Sequence, residues 1–415
     1  VTGTLPQART AIGDSDRYLA LHEAVDEPAS DALLDDRERH VRSEVRDVVA
    51  TEVAPRAAEV DRSETFAGES FQALARAGWV GLLFSAEYGG TGDSTVAYAA
   101  AMEEITAGCA ATSMIFMTQT HAGYPIVLGG DRALVHTHVP PLLTGAAYGS
   151  LAITEPNAGS DVSSLRTTAR AEAGGDYRIS GSKTFITTGD RSNVIVCFAT
   201  TDRTAQRGGV TAFVLDGASP GVGRGAPLAK MGLHGSTTAE LFLDDVPVPA
   251  SNRLGEPGSG WDIMLRAVAK SRISAAAQGV GFARGAYAHA LAHLRERHGK
   301  RLPQAAAFEL ADLRGRILQA RLLLLATARE VDRADAPPTA QVAVAKQRCT
   351  DLGFSVARAA TRLLGGAGDL RDLGVERYVR DAKAAQIYDG TNEIQRLLIA
   401  RDTDRRLDSL EGRTP

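Results

Sequence analysis

Cysteine is scarce: Cys109, Cys197 and Cys349 are the only thiols of the 415-residue chain, far apart and without a Cys-x-x-Cys spacing. Neither a disulfide framework nor a clustered zinc site is implied, and no metal is expected. Each thiol reads as a small core residue in a reducing compartment. Long apolar runs are missing too; no stretch reaches the roughly 18 residues that would make a candidate membrane span. Positive charge is not in excess: 46 Lys and Arg stand against 50 Asp and Glu, for a net charge of -4. No basic stripe of the kind that tracks a nucleic-acid backbone is present, and the interspersed charges read as solvated surface. The N-terminal stretch lacks an apolar signal segment, and its aspartates argue against a transit peptide. Residues 1–32 are therefore expected to be a flexible extension on a cytoplasmic protein.

What is present is an ordinary globular composition, 44% hydrophobic and 23% charged, long enough for two or three domains around a large core. From residue 33 to 148 the pattern is helical. "RHVRSEVRDVVATEVAPRAAEVDR" puts Val41, Val45, Val48 and Val49 on one stripe, and "VAYAAAMEEITAGCAATSMIFMTQTHAG" predicts a long buried helix. Over 149–257 the texture turns to strands and turns, as in "NVIVCFATT" and "GVTAFVLDG", ending in the linker "LGEPGSGWD". Helix returns over 258–415. The order is a small antiparallel sheet domain between two helical layers.

Four polar clusters interrupt this regular structure. "AITEPNAGSD" (152–161) holds its backbone open with Pro and Gly, suited to a flat polar ligand or a phosphate, although a Pro/Gly turn before a strand would read the same. "KTFITTGD" (183–190) alternates an aromatic with hydroxyls, suited to stacking on a ring and bonding its edge, but equally an ordinary half-buried strand. "LLGGAG" (363–368) is the third. The fourth, "YDGT", breaks what would otherwise be one helix and sets Asp389 beside Gly390.

Together and in this order the motifs resemble those of the acyl-CoA dehydrogenase family. The likeness runs from about Leu33 to Arg401 and includes "VERYVRDAKAAQIYDGTNEIQRLLIAR", with weaker agreement in "EYGGTG" and "LFLDDVPVP". The resemblance implies a mainly α fold: an N-terminal helical domain, a small barrel-like antiparallel β domain and a C-terminal four-helix bundle. It implies FAD at the domain junction, shared across a homodimer or homotetramer, and a carboxylate that takes the α proton of an acyl thioester while the β hydrogen leaves as hydride. By position that carboxylate is Asp389. The flavin contacts that carry over are Ile153 and Thr154, Ser160, Phe185 and Thr187, Arg295 at the pyrophosphate, Gln304, Gly365 and Gly366 toward the neighbouring subunit's cofactor, and Thr391 and Glu393. Arg272 and Gly390 match positions around the base loop, on the substrate side. The implied substrate is an acyl-CoA or an acyl-carrier protein, and the implied electron acceptor an electron-transfer flavoprotein.

The chain departs from the family pattern at several points. Its usual base is glutamate, one methylene longer than Asp389, and a misplacement of about 1 Å can cost about a hundredfold in rate. The alternative base position of some members, just before Arg272, is Ser271 here, so Asp389 is the candidate at either site. His298 and Arg362 replace a usual phenylalanine and glutamine at the adenine end, and His234 stands where an arginine is common. The leading expectation is α,β-dehydrogenation of an acyl thioester. The runner-up is a flavin-dependent monooxygenase or N-hydroxylase on the same scaffold, and a third reading is a non-catalytic assembly subunit. The Arg- and Ala-rich, Lys-poor composition fits bacterial secondary metabolism.

Overall fold

The computed structural model describes residues 15–411, so residues 1–14 of the expected flexible extension lie outside the described residues. Over 15–32 the expectation is corrected. Helix α1 (Ser15–Ala24) and the short α2 (Pro28–Asp31) pack onto the body and bury Tyr18 and His22. Charge explains why this segment is held. The Asp26 carboxylate accepts from Arg46 at 2.8 and 3.0 Å and from Arg284 at 2.7 Å. Asp31 accepts from Arg42 at 2.5 Å and Arg321 at 2.6 Å. Buried guanidinium groups need such partners, because an unpaired interior charge is costly.

Helix α3 (Asp36–Val48) starts in a capping box: Asp35 accepts from the Glu38 N–H and Glu38 from the Asp35 N–H. Its apolar stripe buries Val41 and Val45. α4 (Ala57–Ser63) and α5 (Gly68–Arg76) follow. The predicted long buried helix is two: α6 (Thr95–Gly108) and α7 (Ala110–Gly129), broken where Cys109 is extended at φ -155°. A close contact accompanies the break, since a Cβ on Gly108 would lie 2.3 Å from the Val49 side chain. α6 also carries Glu103 and Glu104, both fully buried. α8 (Arg132–Leu143) closes the first helical layer.

The sheet domain comprises β1 (Gly149–Ala152), β2 (Thr168–Ala171), β3 (Tyr177–Thr187), β4 (Val194–Thr200), β5 (Val210–Asp216), β6 (Val222–Arg224), β7 (Thr238–Val248) and β8 (Arg253–Leu254). Its order is β6-β7-β3-β2-β4-β5-β8, with β1 added beside β4. Pairing is antiparallel except for β1 on β4 and the single Thr168–Thr200 bridge, which are parallel. β4 is buried along its whole length, VIVCFAT, as a strand covered on both faces should be.

The C-terminal layer is α9 (Gly260–His298), α10 (Gln304–Arg333), α11 (Thr339–Leu364), α12 (Val375–Ala385) and α13 (Asn392–Leu410). α9 is the axis on which the halves meet. A Cβ on its Gly279 would lie 2.4 Å from the Cys349 backbone of α11, and one on Gly281 2.6 Å from the Glu103 carbonyl of α6. Helix backbones therefore touch on both sides of α9, which fixes the two helical layers relative to each other and to the loop between α12 and α13. Among the described residues, no helix is long and apolar enough to cross a membrane, and no cluster of acidic, His or Cys side chains could hold a metal ion.

Candidate active site

The break between α12 and α13 is a tight reversal of backbone sign. Asp389 has φ +56° and Gly390 φ +87°. The left-handed region is cheap for glycine and tolerable for aspartate, whose short side chain can bond locally, and costly for most other residues. Thr391 then caps α13, accepting from the Ile394 N–H at 3.3 Å. The turn aims the Asp389 side chain inward, and its Oδ2 is buried with no hydrogen-bond partner. Buried polar atoms are nearly always paired, so a lone carboxylate oxygen is a place prepared for something else.

What holds the loop is the set of donors on its carbonyls. Arg272 Nε donates to the Asp389 carbonyl at 3.3 Å, and Gln395 Nε2 to the Gly390 carbonyl at 2.8 Å. Lys346 Nζ donates to the Gly390 carbonyl and to Asn392 Oδ1, each at 2.9 Å. A Cβ on Gly390 would meet Gln395 Nε2 at 2.8 Å, so the clamp closes only on glycine. Tyr388, next to the base position, donates its hydroxyl to Gln278 Oε1 at 2.5 Å, and Gln278 donates to Ser113 Oγ at 2.8 Å. The loop is thus tied to α7, α9, α11 and α13 at once.

Burial pushes the Lys346 ammonium down to about 8, against the upward pull of the nearby Asp389 charge. The unfolded chain, with an ordinary lysine at 10.5, then binds more protons than the folded one between those values. Stability should therefore rise with pH over this window, be fully gained above about 10.5 and level off below about 8. Relative to Lys346→Met, the wild type should gain about 3 kcal/mol from pH 8 to 10.5, at about 1.4 kcal/mol per unit. Urea unfolding of both proteins across that range measures the difference, and parallel curves would refute it.

A second set of predicted residues lies together on the sheet domain. Ile153 and Thr154 follow β1; the Ile153 carbonyl accepts from Lys183 Nζ at 3.0 Å and the Thr154 carbonyl from the Thr184 N–H at 2.9 Å. Phe185 sits in a register shift of β3 at φ +56° and is 68% exposed. A bulky side chain held there is strained, and such strain clusters at ligand sites. Thr187 ends the strand, its carbonyl accepting from Ser150 Oγ at 2.9 Å, and Ser160 is exposed on the loop after Thr154. An exposed aromatic with hydroxyl side chains nearby fits a flat heteroaromatic ring with a polar edge.

The remaining predicted residues are spread over several elements. Arg295 lies 23 residues beyond Arg272 on α9, about 34 Å along the helix. Gln304 opens α10, and both it and Arg295 are exposed. Gly365 and Gly366 follow α11 with open space where a Cβ would be. Glu393 is exposed in the first turn of α13. Ser271 is buried and donates to its own helix at Val268, at 3.0 Å. His298 is exposed at the end of α9, and Arg362 is paired with Glu309. His234 packs between Asp61 and the Lys230 carbonyl, 3.1 and 3.0 Å away.

Sequence reading missed several residues of the site. Lys346, Gln395, Asn392 and Gln278 were not singled out. Neither was the fully buried Lys183–Glu155 pair, 2.8 Å apart, which anchors the loop after β1. A signal existed for Lys346: the chain has six lysines in all, and this one follows the apolar run Val342–Ala345.

The comparisons with known proteins agree with this fold. Residues 35–146, 150–246 and 258–403 match the acyl-CoA dehydrogenase N-terminal, middle and C-terminal domains. A short-chain-specific acyl-CoA dehydrogenase of Clostridium acetobutylicum is 37% identical over 365 residues, 87% of this chain and 96% of its own. Butyryl-CoA dehydrogenase of Megasphaera elsdenii superposes with a TM-score of 0.86 at 34% identity, over 89% of this chain and 98% of its own. A prolyl acyl carrier protein oxidase, AnaB, does so at 0.84 with 26% identity, over 89% and 99%. The chain therefore belongs to the acyl-CoA dehydrogenase family of FAD-dependent oxidoreductases.

Proposed function

We propose that this protein dehydrogenates an acyl thioester between its α and β carbons, with Asp389 as the base that takes the α proton. The observation that carries the reading is the unpartnered, buried Asp389 Oδ2 on a loop clamped through its carbonyls. An α C–H beside a thioester is a weak acid, so charge developing on the thioester oxygen needs a donor; the Asp389 backbone N–H is the proposed one. Arg272 orders the loop through the Asp389 carbonyl and leaves the carboxylate free.

The proposed cofactor face is Ile153, Thr154, Ser160, Phe185 and Thr187, with Thr391 and Glu393 beside the base. FAD bound there supplies the acceptor for the β hydrogen as hydride. Arg295, Gln304, Gly365 and Gly366 are proposed, from the family resemblance, to meet the cofactor of a second copy. A homodimer or homotetramer follows. The carrier is coenzyme A or the phosphopantetheine arm of a carrier protein, and an electron-transfer flavoprotein is the proposed partner. Three buried, unpaired thiols support a reducing, cytoplasmic location.

Anaerobic mixing of the FAD-loaded protein with saturated acyl thioesters tests the reading. Loss of the flavin's visible absorbance without any added reductant is expected. An oxygenase would keep its colour until a separate reductant is supplied, and that result would overturn the proposal.

A further inference from the structure

Lys183 is fully buried and uses all three of its ammonium N–H groups inside the protein. They go to the Ile153 carbonyl at 3.0 Å, to Glu155 Oε1 at 2.8 Å and to the Phe198 carbonyl of β4 at 2.7 Å. Glu155 in turn accepts from the Arg166 N–H at 2.6 Å and the Thr167 N–H at 3.0 Å. One ion pair therefore holds both ends of the loop between β1 and β2, which carries Thr154 and Ser160. Burial by itself would raise the Glu155 carboxyl; Lys183 and the backbone N–H groups bring it below its ordinary value. The strand around Lys183 is irregular. Lys183 and Phe185 are two apart and would share a face in a regular strand, yet the register shift between Lys183 and Ile186 leaves Lys183 sealed inside and Phe185 exposed.

An ammonium engaged on all three N–H groups has no donor left for a ligand, so Lys183 acts through what it holds. In a trans peptide unit the carbonyl and the N–H that follows it point in opposite directions. With the Ile153 carbonyl drawn inward to Lys183, the Thr154 N–H is turned outward, and among the described residues it has no hydrogen-bond acceptor. Thr154 is also locked from behind, its carbonyl accepting from the Thr184 N–H at 2.9 Å. We infer, resting on the cofactor face proposed above, that Lys183 and its counter-charge Glu155 are a positioning pair for the cofactor: they fix the peptide between Ile153 and Thr154 so that the Thr154 N–H is a ready donor to the polar edge of the bound ring. A donor fixed in advance needs no reorganisation when the ring takes up electrons, so it favours the reduced cofactor over the oxidised one.

Removing both charges together, Lys183→Met with Glu155→Gln, leaves neither ion uncompensated in the interior. The FAD-loaded paired variant, diluted and followed by flavin fluorescence, should release FAD about tenfold or more faster than the wild type, the scale of one lost hydrogen bond. Its flavin midpoint potential, read against a reference dye, should fall. A role in folding alone would lower the urea midpoint and leave the potential of the bound FAD at the wild-type value, and that result would overturn the inference. If the paired variant does not fold, hydrogen exchange on the FAD-loaded wild type decides. The Thr154 amide, which has no protein acceptor, is expected to exchange at least about tenfold more slowly than the exposed Asn157 amide, each taken against its intrinsic rate. Equal protection of the two would overturn the inference as well. Phe185→Ala tells this apart from the cofactor face on which it rests. Faster FAD release in Phe185→Ala with none in the paired variant removes the role of Lys183 and Glu155 alone; unaltered release in both removes the face itself.

Discussion

Asp389→Asn should keep the fold and the FAD but lower flavin reduction by acyl thioesters about a thousandfold or more, within the range that general-base catalysis spans. The substitution changes one thing. The clamps from Arg272, Gln395 and Lys346 all end on backbone carbonyls of residues 389 and 390, none on the carboxylate. Asparagine tolerates the left-handed φ of +56° as well as aspartate does, so the loop gains no strain. What is lost is the ability to accept a proton. Asp389→Glu tests reach: it restores the length usual in the family, and its activity should equal or exceed that of the wild type. Rapid mixing under anaerobic conditions measures all three proteins. An asparagine variant reducing its flavin at the wild-type rate would remove Asp389 from the mechanism.

Arg284→Met should destabilise the protein by about 3–5 kcal/mol, enough to threaten folding outright. Arg284 is 2% exposed and donates to Glu104 at 2.8 Å, to Glu103 at 2.5 Å and to Asp26 at 2.7 Å. Burial alone would push the Glu104 carboxyl up; Arg284 and Arg46 together hold it well below the usual range. Without Arg284, two fully buried carboxylates on consecutive residues of α6 share only Arg46 and Arg321. One must then take up a proton or stay uncompensated. Deletion through Ala32 attacks the same network from the other side, removing Asp26 and Asp31 from Arg46, Arg284 and Arg321. Urea unfolding of both variants measures the losses. A midpoint equal to that of the wild type in either would show that the segment over 15–32 is an appendage, as its composition suggests.

The three-layer order and the break beside Asp389 were legible because each rests on local chemistry, and the role of Asp389 was an expectation from the family resemblance alone. A glycine after an aspartate breaks a helix wherever it stands, and β-branched runs between glycines form strands in nearly any context. The break of the long buried helix at Cys109 was not legible. Gly108 there yields to Val49, 59 positions earlier, and no local rule sees that far.

By itself, then, the sequence determined most of the elements, their order, and that a carboxylate stands beside the glycine that separates the last two helices. The tertiary structure alone decided which polar side chains are sealed inside: that Asp26 meets Arg284, 258 residues away, that Lys346 grips the Asp389–Gly390 loop, and that Asp389 Oδ2 goes without a partner. A charged or polar side chain in a helix reads alike whether it faces water or the core. Its meaning depends on desolvation and on the partner it finds, and both are set only when distant segments pack.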